Sequence, residues 1–365
     1  MFYNPAAQAW QYKGPASNPE VEPFHRGLPD YAITPLVSLP EVAKELGLGH
    51  VLLKDESNRL GLPAFKILGA SWAVFKTVAI ECGLPLTSTL AEVGAAARER
   101  DICLVTCTEG NWGRALSRMA RYLQSTATIF VPDFMDKATQ EKIEGEGGKV
   151  IVVDGDYDYS VKCAKEEAER HGILVMDVSW EGYEQIPELV VEGYMTMLTE
   201  TDRQLQGLGI SAATHAIPSV GAGSWAQAVV MHYKRQPLVG RVIAVEPITA
   251  ASLKTSLEAG AITSISTGHT IMNGMNCGTI SSTAWPVLKE GIDASVTVSD
   301  VEVHHDLQLL HSWGIKVGPC GAAPLSALRR ICMEKKKQDL QLDGSSVVIL
   351  FSTEGAREYV VPDGA

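Results

Sequence analysis

Short runs of β-branched and other apolar residues alternate with longer segments of helical periodicity along most of the chain. The runs that predict strands are His50–Lys54, Ile102–Thr106, Thr126–Val131, Lys149–Val153, Leu174–Val178, Thr214–Val220, Arg241–Val245 and Ser346–Phe351. Alternation of strands and helices over this length predicts α/β layers with mainly parallel strands. Residues 1–40 differ, because they are rich in proline and aromatic residues, and they predict an extended segment suited to packing on a partner subunit.

Two amphipathic patterns predict helices in detail. Trp112–Leu123 carries apolar residues at helical spacing. Its other face is expected to be solvent-exposed and carries three arginines, Arg114, Arg118 and Arg121. Ser299 and Glu302 have the spacing of a capping box, which predicts that a helix over Val301–Trp313 begins there.

Composition and charge narrow the class of protein. Hydrophobic residues make up 45% and charged residues 20% of the 365 residues, which is a globular balance. A net charge of −12 argues against a general nucleic-acid or anionic-membrane binder. The seven cysteines are scattered, and neither a secretory signal nor an apolar run of about 20 residues is present. The sequence therefore predicts a cytoplasmic enzyme with reduced thiols.

Two apparent metal motifs are incomplete. Three aspartates have the spacing with which a calcium loop begins: Asp154, Asp156 and Asp158. Tyr159 and Lys165 occupy the positions where such a loop needs glycine and glutamate, so a solvated turn that caps a strand is predicted instead. Three histidines lie in one predicted helix: His304, His305 and His311. Two of them, His304 and His311, share a face, but no third ligand is apparent. No metal site is expected.

A glycine-rich turn follows the predicted strand Thr214–Val220. Gly221, Gly223 and Ala226 match the dinucleotide fingerprint, and Glu246 ends a strand about twenty residues later. A loop of this kind is not specific for dinucleotides, because small residues before a helix N-terminus let backbone N–H groups bind any phosphate. The pattern therefore predicts an anion-binding loop and leaves the anion open, with an NAD-dependent dehydrogenase as one alternative.

A lysine lies where a long apolar helix is expected to begin. Pro63 is placed to start the helix that continues over Ile67–Ile80, which puts Lys66 in its first turn. A cation there is unfavourable for the helix dipole, and the apolar neighbours favour the neutral amine that attacks a carbonyl. Spacing alone supports a nucleophilic lysine and a lysine that extends to solvent about equally.

Several motifs occur in the order found in one enzyme family. K-D-E-S and A-F-K-I-L-G within 54–69 resemble the cofactor-lysine segment of the diaminopropionate ammonia-lyases. T-E-G-N-W-G-R at 108–114 is similar to their D-G-N-H-G-R loop, and D-V-S-W-E-G-Y at 177–183 is similar to D-T-A-W-E-G-Y. G-A-G at 221–223, V-E-P at 245–247 and S-T-E-G at 352–355 follow in the same order. The chain thus resembles this branch of the fold type II pyridoxal-phosphate enzymes, the tryptophan synthase β-subunit-like family.

The resemblance implies a fold and a division into domains. The fold is α/β, with two open, twisted, mostly parallel sheets flanked by helices. Residues 1–79 and 191–365 would form a large cofactor-binding domain. Residues 80–190 would form a small, mobile domain that closes over the substrate. Relatives of this type are usually homodimers, so a homodimer is expected.

The resemblance also implies how pyridoxal 5′-phosphate binds. Lys66 would form the Schiff base. The phosphate would lie in the glycine-rich loop, formed by Gly221, Ala222, Gly223 and Ser224. Asn111 would bond the ring hydroxyl, and Ser352 or Thr353 would meet the pyridine nitrogen. A neutral hydroxyl at that nitrogen does not force ring protonation, which suits elimination over transamination.

The implied reaction is α,β-elimination of 2,3-diaminopropionate to pyruvate and ammonia through aminoacrylate. Besides Lys66, the catalytic residues would be Asp177, as base for the L-isomer, and Glu109, in place of the aspartate used for the D-isomer. The residues expected to contact substrate are Thr108, Gly110 and Trp112.

Two departures from the family pattern keep alternatives open. Trp112 replaces a histidine and so removes a titratable group, and Glu109 is one methylene longer than aspartate. A pyridoxal-phosphate-dependent dehydratase, or a β-elimination or β-replacement enzyme acting on serine, threonine or another β-substituted amino acid, is therefore the main alternative. The NAD-dependent dehydrogenase and a non-catalytic binder of a small ligand complete the set.

Overall fold

The computed structural model describes residues 1–108, 110–235 and 240–365. In these residues the strands are β1 (Phe2–Tyr3), β2 (Leu36–Ser38), β3 (His50–Asp55), β4 (Cys103–Cys107), β5 (Thr126–Val131), β6 (Lys149–Val152), β7 (Gly172–Leu174), β8 (His215–Ile217), β9 (Arg241–Pro247), β10 (Ala294–Val298) and β11 (Val347–Ser352). The first seven α-helices are α1 (Val21–Arg26), α2 (Pro40–Leu46), α3 (Lys66–Glu81), α4 (Leu90–Glu99), α5 (Asn111–Leu123), α6 (Lys137–Glu144) and α7 (Tyr157–His171). The others are α8 (Gln185–Gly193), α9 (Met195–Gly207), α10 (Ser224–Tyr233), α11 (Ser252–Ala259), α12 (Trp285–Gly291), α13 (Asp300–Ser312) and α14 (Pro319–Met333). Short 3-10 helices lie at Pro5–Gln8, Ile248–Ala250 and Asn273–Met275.

The described residues divide into two compact units. Unit 1 comprises Met1–Asn18, Asp30–Phe65 and Tyr194–Ala365, and unit 2 comprises Pro19–Pro29 and Lys66–Gly193. These boundaries differ from the predicted ones after residues 79 and 190. The predicted boundary after residue 79 falls inside α3, a continuous helix that packs on α5 and α8 within unit 2. Lys66 is therefore the first residue of unit 2 and is not part of the unit that carries the glycine-rich loop.

Unit 1 contains a seven-stranded sheet in the order β1-β10-β9-β8-β11-β3-β2. The five central strands are parallel, and the short strands at both edges are antiparallel to their neighbours. Ser352 is in register with Asp55, so β11 and β3 end side by side. Ser219, just beyond β8, bridges Val245 in the parallel sense. The carboxyl ends of these strands thus meet at one edge, the usual place for a ligand site in a parallel sheet.

Unit 2 contains a four-stranded, all-parallel sheet in the order β6-β5-β4-β7. Val105 of β4 is in register with Leu174 of β7, so the loops that follow these two strands begin next to each other. One of these loops contains Thr108 and the other contains Asp177. Two sheets of mainly parallel strands with flanking helices confirm the predicted α/β architecture.

Local signals account for several helix starts. The capping box of Ser299 and Glu302 is present at α13, with both reciprocal hydrogen bonds formed. Asp156 is the N-cap of α7 and accepts a hydrogen bond from the Tyr159 backbone N–H, so the aspartate-rich segment does cap a helix after a strand. Among the described helices, none combines the length and the apolar character that crossing a bilayer requires.

Some expectations were wrong. The run Leu174–Val178 is not a strand, because β7 ends at Leu174 and the following residues form a loop. Residues 1–40 are not simply extended, since they include β1, β2 and the helix α1. Arg118 is buried rather than solvent-exposed, because its guanidinium pairs with the Glu146 carboxylate at 2.7 Å.

A buried histidine in β8 makes the stability of unit 1 depend on pH. His215 is 1% exposed; its Nδ1 lies 2.7 Å from the Thr214 hydroxyl and its Nε2 lies 2.8 Å from the Leu340 carbonyl oxygen. Burial lowers the pKa of His215 to about 4. The folded state thus binds fewer protons than the unfolded state between about pH 4 and the ordinary histidine value of about 6.5. The stabilisation that the neutral ring contributes is present above about pH 6.5 and is lost as the pH falls towards 4.

We expect His215→Gln to flatten this acid-side loss. The wild type should lose about 3 kcal/mol more unfolding free energy than the variant between pH 7 and pH 4, measured by urea titration. His305→Gln is the matched control, because His305 is exposed on α13 and its replacement should leave the slope unchanged. Equal slopes for the wild type and His215→Gln would contradict the prediction.

Candidate active site

An ion pair in unit 2 joins two of the predicted catalytic residues. Lys66 is the first residue of α3, which confirms its predicted position in the first turn. Its Nζ lies 2.5 Å from Oδ2 of Asp177, in the loop after β7, and the two side chains are 23% and 13% exposed. The amine is therefore not surrounded by apolar groups alone, since a carboxylate is in contact with it. An amine and a carboxylate at this distance can exchange a proton directly.

The residues just before Lys66 are paired with the segment after β11, within unit 1. Pro63 does not start the helix, which was the prediction; its carbonyl oxygen accepts a hydrogen bond from the Gly355 backbone N–H at 2.9 Å. Ala64 forms an antiparallel bridge with Glu354, and the Phe65 backbone N–H donates to the Thr353 carbonyl at 3.4 Å. The peptide bond that follows Phe65 leads directly to Lys66, the first residue of α3.

The turn that leads into α5 is organised by a buried threonine. The Thr108 hydroxyl accepts hydrogen bonds from the backbone N–H groups of Gly110, at 2.9 Å, and Gly113, at 3.1 Å. Asn111 is the first residue of α5 and is partly exposed. Glu109, the predicted base for the D-isomer, lies outside the described residues. Thr108 thus stabilises the turn, while contacts of Thr108 and Gly110 with substrate stay predictions.

Trp112, the next residue of α5, is buried and fully engaged within unit 2. Its indole N–H points to two acceptors, the Thr106 hydroxyl at 3.0 Å and the Val175 carbonyl oxygen at 3.1 Å. The predicted contact with substrate therefore has to compete with an internal hydrogen bond. Thr106 and Val175 were not among the predicted site residues, because neither belongs to a recognisable motif.

In unit 1 the glycine-rich loop has the shape of an anion cradle. Gly223 is the N-cap of α10 and has φ +103°, in the left-handed region that favours glycine. A Cβ at Gly221 would lie 2.9 Å from the Gly274 carbonyl oxygen, and a Cβ at Gly223 would lie 2.9 Å from the Leu288 side chain. Only glycine fits at these two positions. The first N–H groups of α10 face this loop, as phosphate binding requires.

Hydroxyl groups line the adjoining strand end of unit 1. Ser352 is completely buried at the end of β11, and its Oγ has no hydrogen-bond partner among the described residues. A Cβ at Gly321 would lie 2.4 Å from this Oγ, so a larger residue there would cover it. The hydroxyls of Ser219 and Thr353 lie 3.2 Å apart. A buried hydroxyl without a partner is costly, and a ring nitrogen is a suitable acceptor for it. The residues present therefore fit pyridoxal phosphate at both its phosphate and its ring.

Glu246 does not fit the dinucleotide alternative. Its buried carboxylate accepts hydrogen bonds from the backbone N–H groups of Leu253, at 2.7 Å, and Lys254, at 2.8 Å, and from the Ser295 hydroxyl, at 3.0 Å. Burial raises the pKa of Glu246 to about 7. The side chain caps α11 and offers no exposed oxygen to a ribose hydroxyl, which that alternative needs.

A buried network of charges holds the K-D-E-S segment of unit 1. Lys54 and Arg59 contact Glu200 at 3.0 and 2.7 Å, and Arg59 also contacts Glu56 at 2.6 Å; all four side chains are completely buried. Burial on its own would raise the pKa of Glu200, but the hydrogen bonds and charge of Arg59, together with Lys54, lower it to about 2. Two cations and two anions thus balance. Glu200 was not predicted to take part, because it lies 141 residues from Arg59 and belongs to no recognisable motif.

Comparison with known families identifies the chain. The family described as "Pyridoxal-phosphate dependent enzyme" matches residues 28–353. The chain belongs to this family. As a pyridoxal-phosphate-dependent enzyme it uses the cofactor that the sequence predicted and that the glycine cradle and the unpaired Ser352 hydroxyl fit.

Two relatives of this pyridoxal-phosphate-dependent enzyme are informative, one of them in two crystal structures. Diaminopropionate ammonia-lyase of Salmonella typhimurium is 34% identical over 357 residues, which cover 92% of this chain and 88% of the relative. The crystal structure of the Escherichia coli diaminopropionate ammonia-lyase in complex with an aminoacrylate-PLP azomethine reaction intermediate matches with a TM-score of 0.84 and 28% identity, over 95% of this chain and 93% of that one. The same enzyme in complex with D-serine matches with a TM-score of 0.83, 26% identity and the same coverage. The predicted resemblance and fold are confirmed.

Proposed function

We propose that this enzyme is a carbon–nitrogen lyase that converts 2,3-diaminopropionate and water into pyruvate and two molecules of ammonia by α,β-elimination. The observation that carries the proposal is the contact of 2.5 Å between Lys66 Nζ and Asp177 Oδ2 at the start of α3. It occurs in a chain that resembles diaminopropionate ammonia-lyases over 92% of its length. A nucleophilic amine beside a carboxylate supplies the two groups that such an elimination needs.

Several residues of the chain would hold the cofactor. Backbone N–H groups of the loop from Gly221 to Ser224 would bind its phosphate, Ser352 or Thr353 would meet its ring nitrogen, and Lys66 would hold its aldehyde carbon. When bound, pyridoxal phosphate supplies an electron sink that stabilises negative charge at the α-carbon of an amino acid. A serine hydroxyl at the ring nitrogen is neutral, so it leaves the strength of this sink moderate, which favours elimination over transamination.

The ion pair of Lys66 and Asp177 would carry out the proton transfers. Asp177 would accept the proton from the α-carbon of the L-isomer. The amine that leaves the β-carbon needs a proton, and Lys66, in contact with Asp177, would return one to it. The pair then ends with the number of protons with which it began. Elimination followed by addition of water to the released product balances as one pyruvate and two ammonia for each diaminopropionate.

A second substrate class is favoured by one position of the chain. Trp112 stands where the related loop has histidine, and its buried indole cannot titrate. A substrate with a hydroxyl on the β-carbon, such as serine or threonine, would give one ammonia for each 2-oxo acid. The related enzyme crystallised with D-serine indicates that a β-hydroxy amino acid can enter a site of this kind.

Other features belong to the same proposal. Asn111 would bond the ring hydroxyl of the cofactor, and residues 80–190 would contribute the mobile part of the molecule that closes over substrate. We also propose a homodimer in the cytoplasm, which the usual assembly of related enzymes and the reduced thiols support. Size-exclusion chromatography with light scattering measures the assembly directly.

A substrate panel tests the proposal. Both enantiomers of 2,3-diaminopropionate, serine and threonine should be incubated with the cofactor-loaded enzyme, and 2-oxo acid and ammonia should be measured together. We expect L-2,3-diaminopropionate to be the best substrate and to give a ratio of two ammonia to one pyruvate. Protein stripped of cofactor is the control and should be inactive. Turnover of serine or threonine without turnover of diaminopropionate would replace the first candidate by the second.

A further inference from the structure

The three residues before Asp177 are held by hydrogen bonds although they lie largely outside a strand. The Val175 backbone N–H donates to the Val105 carbonyl oxygen at 2.8 Å. The phenol oxygen of Tyr183 accepts a hydrogen bond from the Met176 backbone N–H at 3.0 Å and donates one to the Leu174 carbonyl at 2.8 Å. Tyr183 therefore clamps this segment from one side, and burial raises the pKa of its hydroxyl, which keeps it protonated.

A further backbone group of this segment, the Val175 carbonyl, is bound by Trp112. The Val175 carbonyl oxygen lies 3.1 Å from the indole Nε1, which also lies 3.0 Å from the Thr106 hydroxyl. Thr106 is buried on β4, and its Oγ1 lies 3.2 Å from the Met176 sulfur. The indole thus links α5, the end of β4 and the loop of Asp177 through one donor.

We propose that Trp112 is a positioning residue for Asp177. The inference rests on the proposed function, in which Asp177 is the base. Asp177 is two residues beyond the carbonyl that the indole binds, so loss of this bond would let the carboxylate move relative to Lys66. A displacement of about 1 Å at a reacting group can cost about 10²-fold in rate. This position therefore acts through the backbone and not through a titratable ring in contact with substrate.

The variant Trp112→Phe tests this role, because it keeps an aromatic ring in the core and removes only the donor and part of the ring. We expect amide hydrogen exchange in the segment 174–178 to become about 10-fold faster, since the Val175 carbonyl and the Thr106 hydroxyl lose a partner. We expect kcat for L-2,3-diaminopropionate to fall about 10- to 100-fold with KM within about twofold. A direct substrate contact would instead raise KM and leave exchange unchanged.

Tyr122→Phe is the matched control on the same helix. It removes the hydroxyl that donates to the Pro29 carbonyl at 3.3 Å on the exposed side of α5, and it should change neither exchange at 174–178 nor kcat. A double-mutant cycle adds a second discriminating measurement. If Trp112 acts through Asp177, Trp112→Phe should cost less than about threefold in an Asp177→Asn background.

Unchanged exchange at 174–178 in Trp112→Phe, or a loss of kcat that is fully additive with Asp177→Asn, would overturn the inference. Failure of the proposed function would give a different experimental result from failure of this inference. The wild type would then not turn over diaminopropionate, while the faster exchange in Trp112→Phe would still establish that the indole holds the loop. The cycle is measured on the best substrate of the panel, so it remains decisive in that case.

Discussion

Lys66→Ala is expected to lower kcat/KM for L-2,3-diaminopropionate by on the order of 10⁴-fold, which corresponds to about 5.5 kcal/mol of transition-state stabilisation. The substitution removes both the amine that would hold the cofactor and the partner of Asp177. Alanine is the best helix former, so α3 should keep its start and its packing. The loss should therefore lie in the chemical step, with little change in the thermal unfolding midpoint.

Covalent trapping tests whether Lys66 holds the cofactor, without a turnover assay. After treatment with borohydride, the wild type should carry the reduced cofactor on Lys66 in a peptide mass map. The Lys66→Ala protein should retain cofactor only non-covalently, because the loop from Gly221 to Ser224 is unchanged. Lys76→Ala is the matched control on the same helix, since it removes a contact of 3.4 Å with Glu192 and should leave trapping and turnover intact. Trapping on another lysine, or turnover of Lys66→Ala within about 10-fold of wild type, would refute the assignment.

The parts of the fold that sequence could predict depend on neighbours along the chain. The helix over Asn111–Leu123 was predicted nearly to its ends, because its apolar spacing is regular. The capping box of Ser299 and Glu302 and the turn from β8 into α10 are likewise encoded within a few residues. Such local signals were enough to place Lys66 at the start of a helix and the glycine loop before another.

Strand predictions failed where an apolar run is compatible with more than one backbone structure. The run Leu174–Val178 resembles a strand, but only its first residue belongs to β7. Side chains from elsewhere in unit 2, those of Trp112 and Tyr183, satisfy the backbone groups that a neighbouring strand would otherwise bind. Conversely, Ala294–Val298 forms β10 beside β9, although no strand was predicted there. The spacing of apolar residues indicates which side chains are buried. It does not indicate which groups form hydrogen bonds with the backbone.

The geometry of the candidate site was beyond sequence because its contacts are remote. Lys66 and Asp177 are 111 residues apart, and Ser219 and Thr353 are 134 residues apart. The family motifs nominated Lys66, Asp177 and Thr353 but not Ser219. The packing of α3 on α5 and α8, which groups the whole helix with unit 2, is likewise a set of contacts between segments distant in sequence.

We expect Asp177→Asn to lower the turnover of one enantiomer of the substrate much more than that of the other. The substitution keeps the size and shape of the side chain and removes its basicity. If Asp177 accepts the α-proton of the L-isomer, kcat for that isomer should fall by about 10²- to 10⁴-fold. Turnover of the D-isomer should fall much less, because the resemblance assigns its proton to Glu109. Trapping of the cofactor on Lys66 should persist, since asparagine leaves the amine in place.

Asp156→Asn is the control in the same unit. Asp156 caps α7, and asparagine also caps helices. The free energy of unfolding should therefore stay within about 1 kcal/mol of wild type, and turnover should stay within about twofold. Initial rates for both enantiomers, followed by coupled reduction of pyruvate, give the comparison. An equal loss for the two isomers would mean that Asp177 orients Lys66 rather than removing a proton from one face. A loss confined to the D-isomer would reverse the assignment of the two carboxylates.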